Sequence, residues 1–206
     1  MIEIYCTNVY DGTRYDCGMC IGADDLWSQT RKFVHDDREP INLGYVAYRG
    51  SVPIEQVLEK ADRENVLFYV RSEMHLFNVL CVYRRAGAEE ELNECFGSAS
   101  CCAPARNALP QLKTNFHWSV YYREPLSEWS RGRLVSLGDA AHSMLPYAAP
   151  GVAQALEDAA TLVAAYSKYG AKDILSLFKT YEQERIPRSA RVAQFNALKV
   201  LYLLSI

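Results

Sequence analysis

The residues best placed to do chemistry lie in the run Gly138-Asp139-Ala140-Ala141-His142-Ser143-Met144-Leu145-Pro146-Tyr147, followed by Gly151 and an amphipathic segment carrying Glu157 and Asp158. Arg133 to Leu137 reads as a short buried strand, and Gly138 permits a tight turn. Asp139 is then presented at the strand's carboxyl end, where α/β sheets bind ligands. A carboxylate beside a helix N-terminus suits a hydroxyl-rich ligand gripped by hydrogen bonds. A lone Gly-Asp pair is often only a turn or a cap, so the weight rests on the length of the surrounding motif.

Other constellations carry less. Ser136, Asp139 and His142 hint at a hydrolase, but no G-x-S-x-G elbow presents a serine to a histidine. Glu157 and Asp158 are neighbours on a helix and point about 100° apart, so they read as a solvated or structural pair. Cys17-Gly18-Met19-Cys20 is half of a zinc pattern, but the vicinal Cys101-Cys102 is poorly shaped to complete it, and the four histidines share no ligand spacing. No metal is expected, and the cysteines read as buried strand thiols. Seven cysteines without a secretory signal disfavour a disulfide framework and point to a reducing, cytoplasmic setting. A net charge of −3 with scattered basic residues argues against nucleic acid or an anionic membrane as partner. The apolar run from Leu198 to Ile206 is interrupted by Lys199 and falls short of the roughly 20 residues a membrane span needs, so it expects a protein cover.

The elements that must position these groups follow from periodicity. The chain opens in a hairpin, with Asp11-Gly12 as its turn and Tyr15 to Ile21 as its return strand. Leu26 to Val34 reads as a short helix or turn. Leu43 to Arg49, Val66 to Val70, His75 to Arg84 and Phe116 to Tyr122 read as strands of a mostly antiparallel sheet, and Glu89 to Pro104 as a helix with an irregular connection. From Gly151, residues Val152, Ala155, Leu156, Ala159, Leu162, Val163 and Tyr166 recur at three and four, and Gly170 is a natural stop. Asp173 can cap a further helix to about Arg185, which Pro187 should end or kink. The fold class is mixed α/β (α+β).

The Gly138–Pro146 run resembles the second flavin motif, G-D-A-A-H-x-M-x-P, of the FAD-dependent aromatic monooxygenases of the salicylate hydroxylase and p-hydroxybenzoate hydroxylase type. Arg123 to Leu126 and Trp129 to Arg133 resemble that motif's lead-in. Gly22-Ala23-Asp24-Asp25-Leu26-Trp27-Ser28-Gln29-Thr30-Arg31 is similar to the family's G-A-D-G-x-x-S-x-x-R segment, and Gly44 to Pro53 to the strand that opens its substrate-side sheet. Tyr181, Arg185 and Arg188 resemble its Y-x-x-x-R-x-x-R region. The resemblance implies a partial FAD-binding Rossmann-like domain, made of 1–34 and of 126–206 with its C-terminal helices, and an antiparallel-sheet substrate domain over 35–125. It implies that Asp139 bonds the ribityl chain of FAD, that Pro146, Gly151 and Val152 lie against the flavin ring, and that Asp24 helps hold the cofactors. NAD(P)H would be the co-substrate, and a small aromatic or polyketide-like ring would receive one oxygen atom of O2. Arg49 would pair with the oxyanion of the ring, since its guanidinium stays charged at any relevant pH. Tyr69 would be a second donor or proton relay, with Arg71 behind it.

Three departures bear on that reading. Asp25 stands where the family has glycine, a cost of about 1 kcal/mol if the backbone there needs a positive φ. Ala148-Ala149-Pro150 stands where an amide donor is usual, and Pro150 removes an N–H from the turn that would face the flavin. None of the eleven glycines forms G-x-G, so the family's pyrophosphate-binding G-x-G-x-x-G turn is not in this chain. Two classes of function therefore stand side by side. One is an FAD-dependent monooxygenase or part of one. The other is a non-catalytic remnant or interaction module that needs a partner chain or an N-terminal segment to supply the glycine turn.

Overall fold

The computed structural model describes residues 4–7, 10–34, 38–53, 55, 76–84, 107–108, 111, 116–146 and 150–204, with the side chains of 1–6, 48, 76–84, 116 and 197–206 left aside. Tyr69, Arg71, the strand expected at Val66 to Val70 and the helix expected over Glu89 to Pro104 lie outside the described residues. So do the side chains of the apolar run from Leu198. The chain divides into two units, Met1–Ile41 with Tyr121–Ile206, and Asn42–Val120.

The first unit begins with the expected hairpin. β1 (Ile4–Thr7) pairs antiparallel with β2 (Arg14–Cys17), from Ile4 opposite Cys17 to Thr7 opposite Arg14. Its turn is fixed where Asp11 accepts the Thr13 N–H at 2.8 Å. The return strand does not run on to Ile21. It stops at Cys17, and β3 (Cys20–Gly22) leaves for a second sheet, where it lies parallel to β8 (Leu134–Ser136) and β7 (Ser130–Arg131) completes the order β3-β8-β7. The backbone dictates the switch, because the Cys20 N–H donates to the Arg133 carbonyl at 2.9 Å and the Leu137 N–H to the Gly22 carbonyl at 2.8 Å. β3 and β8 therefore end side by side, each followed within three residues by an aspartate. The helices of this unit are α1 (Thr30–Val34), α2 (Asp139–His142), α3 (Gly151–Tyr169) and α4 (Ile174–Leu204), with a 3₁₀ turn at Gly170–Lys172.

The caps read from sequence are in place. Gly170 closes α3 with φ 63 and donates its N–H to the Tyr166 carbonyl, and Asp173 accepts the Ser176 N–H at 3.1 Å to start α4. Pro187, expected to end or kink that helix, lies within it. Proline withdraws one hydrogen bond from the exposed Gln183 carbonyl, which water can replace, while buried Tyr181 and Arg185 before it and Ser189 and Asn196 after it anchor both halves. The core joins Leu126, Trp129, Val135, Ala141, Leu162, Ala165, Ile174, Leu177, Phe178 and Tyr181. At roughly 1.5–3 kcal/mol for each large apolar side chain, this cluster is the main force holding α3 and α4 to β8.

The second unit is built on β4 (Ile41–Pro53), longer than the strand expected at Leu43 to Arg49. It pairs antiparallel with β5 (Leu76–Arg84) over nine residues, from Tyr45 opposite Arg84 to Pro53 opposite Leu76. β6 (Phe116–Tyr122) lies on its other side, giving β5-β4-β6. Val46, Ala47, Val52 and Val120 are buried.

Candidate functional site

Asp139 is delivered by the Gly138 turn. Gly138 sits at φ 62, ψ −139, a left-handed backbone that disfavours any side chain, and a Cβ there would lie 3.4 Å from Ala155 Cβ. The Asp139 carboxyl is half-buried, and among the described residues no hydrogen-bond donor reaches it. Burial, then the neighbouring charge of Asp25, pushes its pKa up against a smaller opposing effect of His142. Gly151, at the start of α3, faces this carboxylate. A Cβ added to Gly151 would meet Asp139 Oδ1 at 3.8 Å.

Beneath the turn lies a carboxylate with the opposite fate. Asp158 is wholly buried and accepts three hydrogen bonds, from the Gly138 N–H at 3.0 Å, His142 Nε2 at 2.5 Å and Arg185 Nε at 2.7 Å. Burial alone would raise its pKa, but His142, Arg185 and the Gly138 amide together hold it below the ordinary carboxylate range. Arg185 is itself only 2% exposed and spreads its fork over Asp158, Glu157 Oε2 at 2.6 Å and Gln154 Oε1 at 2.9 Å. Arg188 completes the array on Glu157, whose pKa is pulled down to about 2, first by Arg188 and then by Arg185. Tyr181 donates to the Ser136 carbonyl at 3.2 Å. The spacing Tyr181, Arg185, Arg188 is thus one face of α4 turned to β8 and α3. Glu157 and Asp158 do form a structural pair, but Asp158 is not solvated.

Of the apolar repeat of α3 only Leu162 is buried. Val152, Leu156, Val163 and Tyr166 are exposed, whereas Gln154, Asp158, Leu162 and Ala165 are buried, because the buried guanidinium of Arg185 demands polar partners.

Asp24, expected among the cofactor ligands, spends its carboxylate on its own loop. Oδ1 accepts from the hydroxyls of Ser28 at 2.7 Å and Thr30 at 2.5 Å, and Oδ2 from the N–H groups of Gln29 at 2.8 Å and Thr30 at 3.0 Å. These bonds overcome burial and lower its pKa. Gly22 allows the loop to close, since a Cβ there would stand 2.0 Å from Thr30 Oγ1. Asp25 does occupy the left-handed region, at φ 63.

From the same loop, fully buried Arg31 donates to the carbonyls of Ala141 at 3.1 Å, Ala140 at 3.4 Å and Glu124 at 2.6 Å. Cationic charge at the carbonyl end of α2 is favourable, and the contact ties the Asp24 loop to the Asp139 turn. Asn196 of α4 donates to the Leu145 carbonyl and tethers the segment leading to half-buried Pro146. Arg49 is exposed on β4, opposite Leu80, in the second unit. Arg31, Asp158 and Arg185 are the residues that pattern reading passed over as functional. The i, i+4, i+7 spacing on α4 was the sequence signal pointing to Arg185, and the arginine closing the Gly22–Arg31 segment was the one pointing to Arg31.

These residues fit one part of FAD, its hydroxyl-bearing chain. The Asp139 carboxylate, half-buried, beside Gly151 and without a donor among the described residues, has the acceptor chemistry that hydroxyl groups require.

A family model described as "FAD binding domain" matches residues 7–196. The chain is 30% identical over 204 residues to 6-hydroxynicotinate 3-monooxygenase of Bordetella bronchiseptica, covering 88% of this chain and 52% of that protein. It is 29% identical over 205 residues to 3-hydroxybenzoate 6-hydroxylase 1 of Aquipseudomonas alcaligenes, covering 91% and 52%. Among solved structures, a salicylate hydroxylase substrate complex superposes with a TM-score of 0.73 at 23% identity, over 94% of this chain and 58% of the other. Klebsiella pneumoniae HpxO complexed with FAD and uric acid gives 0.74 at 24%, over 91% and 52%. At these identities the superpositions establish the fold, a mixed α/β arrangement. The chain spans about half the length of the curated relatives it matches.

Proposed function

The chain belongs to the FAD binding domain family, and from that premise we propose that it binds FAD through Asp139 and forms part of a monooxygenase acting on a small aromatic ring. The observation that carries this is the Asp139 carboxylate, half-buried and without a donor among the described residues, opposite the bare Cα of Gly151. It accepts hydrogen bonds from the ribityl hydroxyls. Gly151, Val152 and Pro146 line the flavin side, where exposed Val152 offers apolar contact. Asp24 and Asp25 serve indirectly by shaping the loop that Arg31 ties to α2.

FAD, held by these residues, would supply the redox chemistry, linking oxidation of NAD(P)H to insertion of one oxygen atom of O2 into the ring and release of the other as water. The names of the relatives describe hydroxynicotinate and hydroxybenzoate chemistry, which supports a hydroxylated aromatic acid as substrate. Arg49 pairs with an oxyanion of that substrate and keeps it electron-rich, with Tyr69 as second donor. A cytoplasmic setting fits a reaction drawing on NAD(P)H.

An FAD titration of the purified chain, read by flavin fluorescence, tests the proposal. Saturable binding that weakens at least tenfold in Asp139→Ala is expected. A folded chain that binds no FAD would sink it and leave the reading of an interaction module that needs a partner carrying the glycine turn, a reading favoured by the absence of any G-x-G.

A further inference from the structure

We propose that Asp158, oriented by Arg185, is the positioning group for Asp139, so that α4 sets the geometry of cofactor capture through two side chains that never touch the cofactor. The connection is short and buried. The Gly138 amide, one residue before Asp139, donates to Asp158 Oδ2 at 3.0 Å, and His142, the last residue of the one-turn helix that Asp139 begins, reaches the same oxygen at 2.5 Å. One oxygen therefore holds α2 at both ends. The other oxygen is taken by Arg185 Nε at 2.7 Å. With Asp158 at 0% and Arg185 at 2% exposure, neither group can turn toward water without disturbing the core.

The alternatives open to Gly138 show why this matters. Its backbone lies at a positive φ, and its N–H, one residue before Asp139, is bonded to Asp158. Without Asp158 that N–H would be buried unpaired, a state strongly disfavoured, and the turn would rotate to find another acceptor. Asp139 would swing with it. An asparagine at 158 keeps the shape and fails the chemistry. Whichever way its amide is set, an NH₂ faces either the Gly138 N–H or the Arg185 guanidinium, both donors. Arg185 has a matching constraint, because lysine cannot serve Asp158, Glu157 and Gln154 together as a planar fork does.

The ligand half of this inference rests on the FAD reading above; the turn half does not. Amide hydrogen exchange on the ligand-free chain tests the turn, with the Ser136 N–H, bonded to the Trp129 carbonyl at 2.7 Å, as internal reference. In Asp158→Asn, and in Arg185→Lys should the first fold poorly, Gly138 protection is expected to fall about tenfold relative to Ser136. Leu177→Ala, which loosens the core away from Asp158, should lower both amides together. FAD affinity tests the ligand half. Asp158→Asn should raise Kd about tenfold, and adding it to Asp139→Ala should cost little more than Asp139→Ala alone, as expected for two groups acting through one contact. Leu177→Ala should leave Kd unchanged. Equal loss of protection at Gly138 and Ser136 in Asp158→Asn, or additive losses of affinity in the double variant, overturns the proposal as mere structural support. A wild-type chain that binds no FAD overturns the FAD reading and the ligand half with it, while exchange still decides the turn.

Discussion

Two strand ends in the first unit look alike and behave oppositely. β3 and β8 run parallel, side by side, and each is followed by an aspartate, Asp24 and Asp139. Asp24 is filled by four donors from its own loop, whereas Asp139 has none among the described residues. Residue type and position do not separate them. What separates them is the supply of local donors, for Ser28, Gln29 and Thr30 fold back on Asp24 while Ala140, Ala141 and Gly151 around Asp139 offer no side-chain donor. A carboxylate satisfied at home serves its own loop, and one with no donor among the described residues is the one proposed here to bind.

The contrast can be broken most severely from below. Arg185→Met leaves Asp158 buried and charged with its arginine partner gone, and should lower stability by about 3–5 kcal/mol in urea denaturation. Gly22→Ala strikes the closed site directly, since the new methyl must displace Thr30, and should lower stability by about 1–3 kcal/mol. Asp24→Ala removes the four bonds and should lose about 1–2 kcal/mol, in the range of a lost helix cap. Asp139→Asn is the smallest and has the other sign. Burial and Asp25 disfavour its charge, so the variant should be more stable than wild type at neutral pH, by less than about 1 kcal/mol, while FAD affinity falls.

Acid sharpens the same comparison. Asp24 and Asp158 have lowered pKa values in the folded chain, so their contribution is complete above the ordinary carboxylate pKa and is lost as pH falls through their lowered values. Asp139 has a raised value, so its penalty is present at neutral pH and is relieved as pH falls through that value. Denaturation midpoints of Asp24→Ala and Asp139→Asn, measured against wild type from pH 7 to pH 3, should therefore converge on wild type from opposite sides.

Much of this was legible in the residues. The strand, glycine and aspartate order at 134–139, the caps at Gly170 and Asp173 and the positive φ at Asp25 are local rules, written within a few positions of where they act. The buried face of α3 was not, because periodicity counts apolar side chains, and Val152, Leu156 and Val163 outvote Gln154 and Asp158. That outcome is settled by Arg185, 27 positions after Asp158, whose buried charge selects polar partners over apolar ones. Pro187 does not end α4 for a related reason, since a proline's local penalty is outweighed by anchors on both sides of it. For Asp24 the sequence shows a carboxylate but not the four donors that come back to it from its own loop.

Trp129 gives the site an optical readout of its own. It is 1% exposed, while Trp27 and Trp118 are 51% and 41% exposed, so the blue edge of the emission spectrum belongs mainly to this one indole. Its ring lies 4.8 Å from His142 and 5.6 Å from Tyr181, two of the side chains that close on the Asp139 turn and β8. Light emitted there would be dimmed by energy transfer when a yellow chromophore docks and would redden when the turn beneath it comes apart. A single cuvette could thus tell loss of ligand from loss of structure.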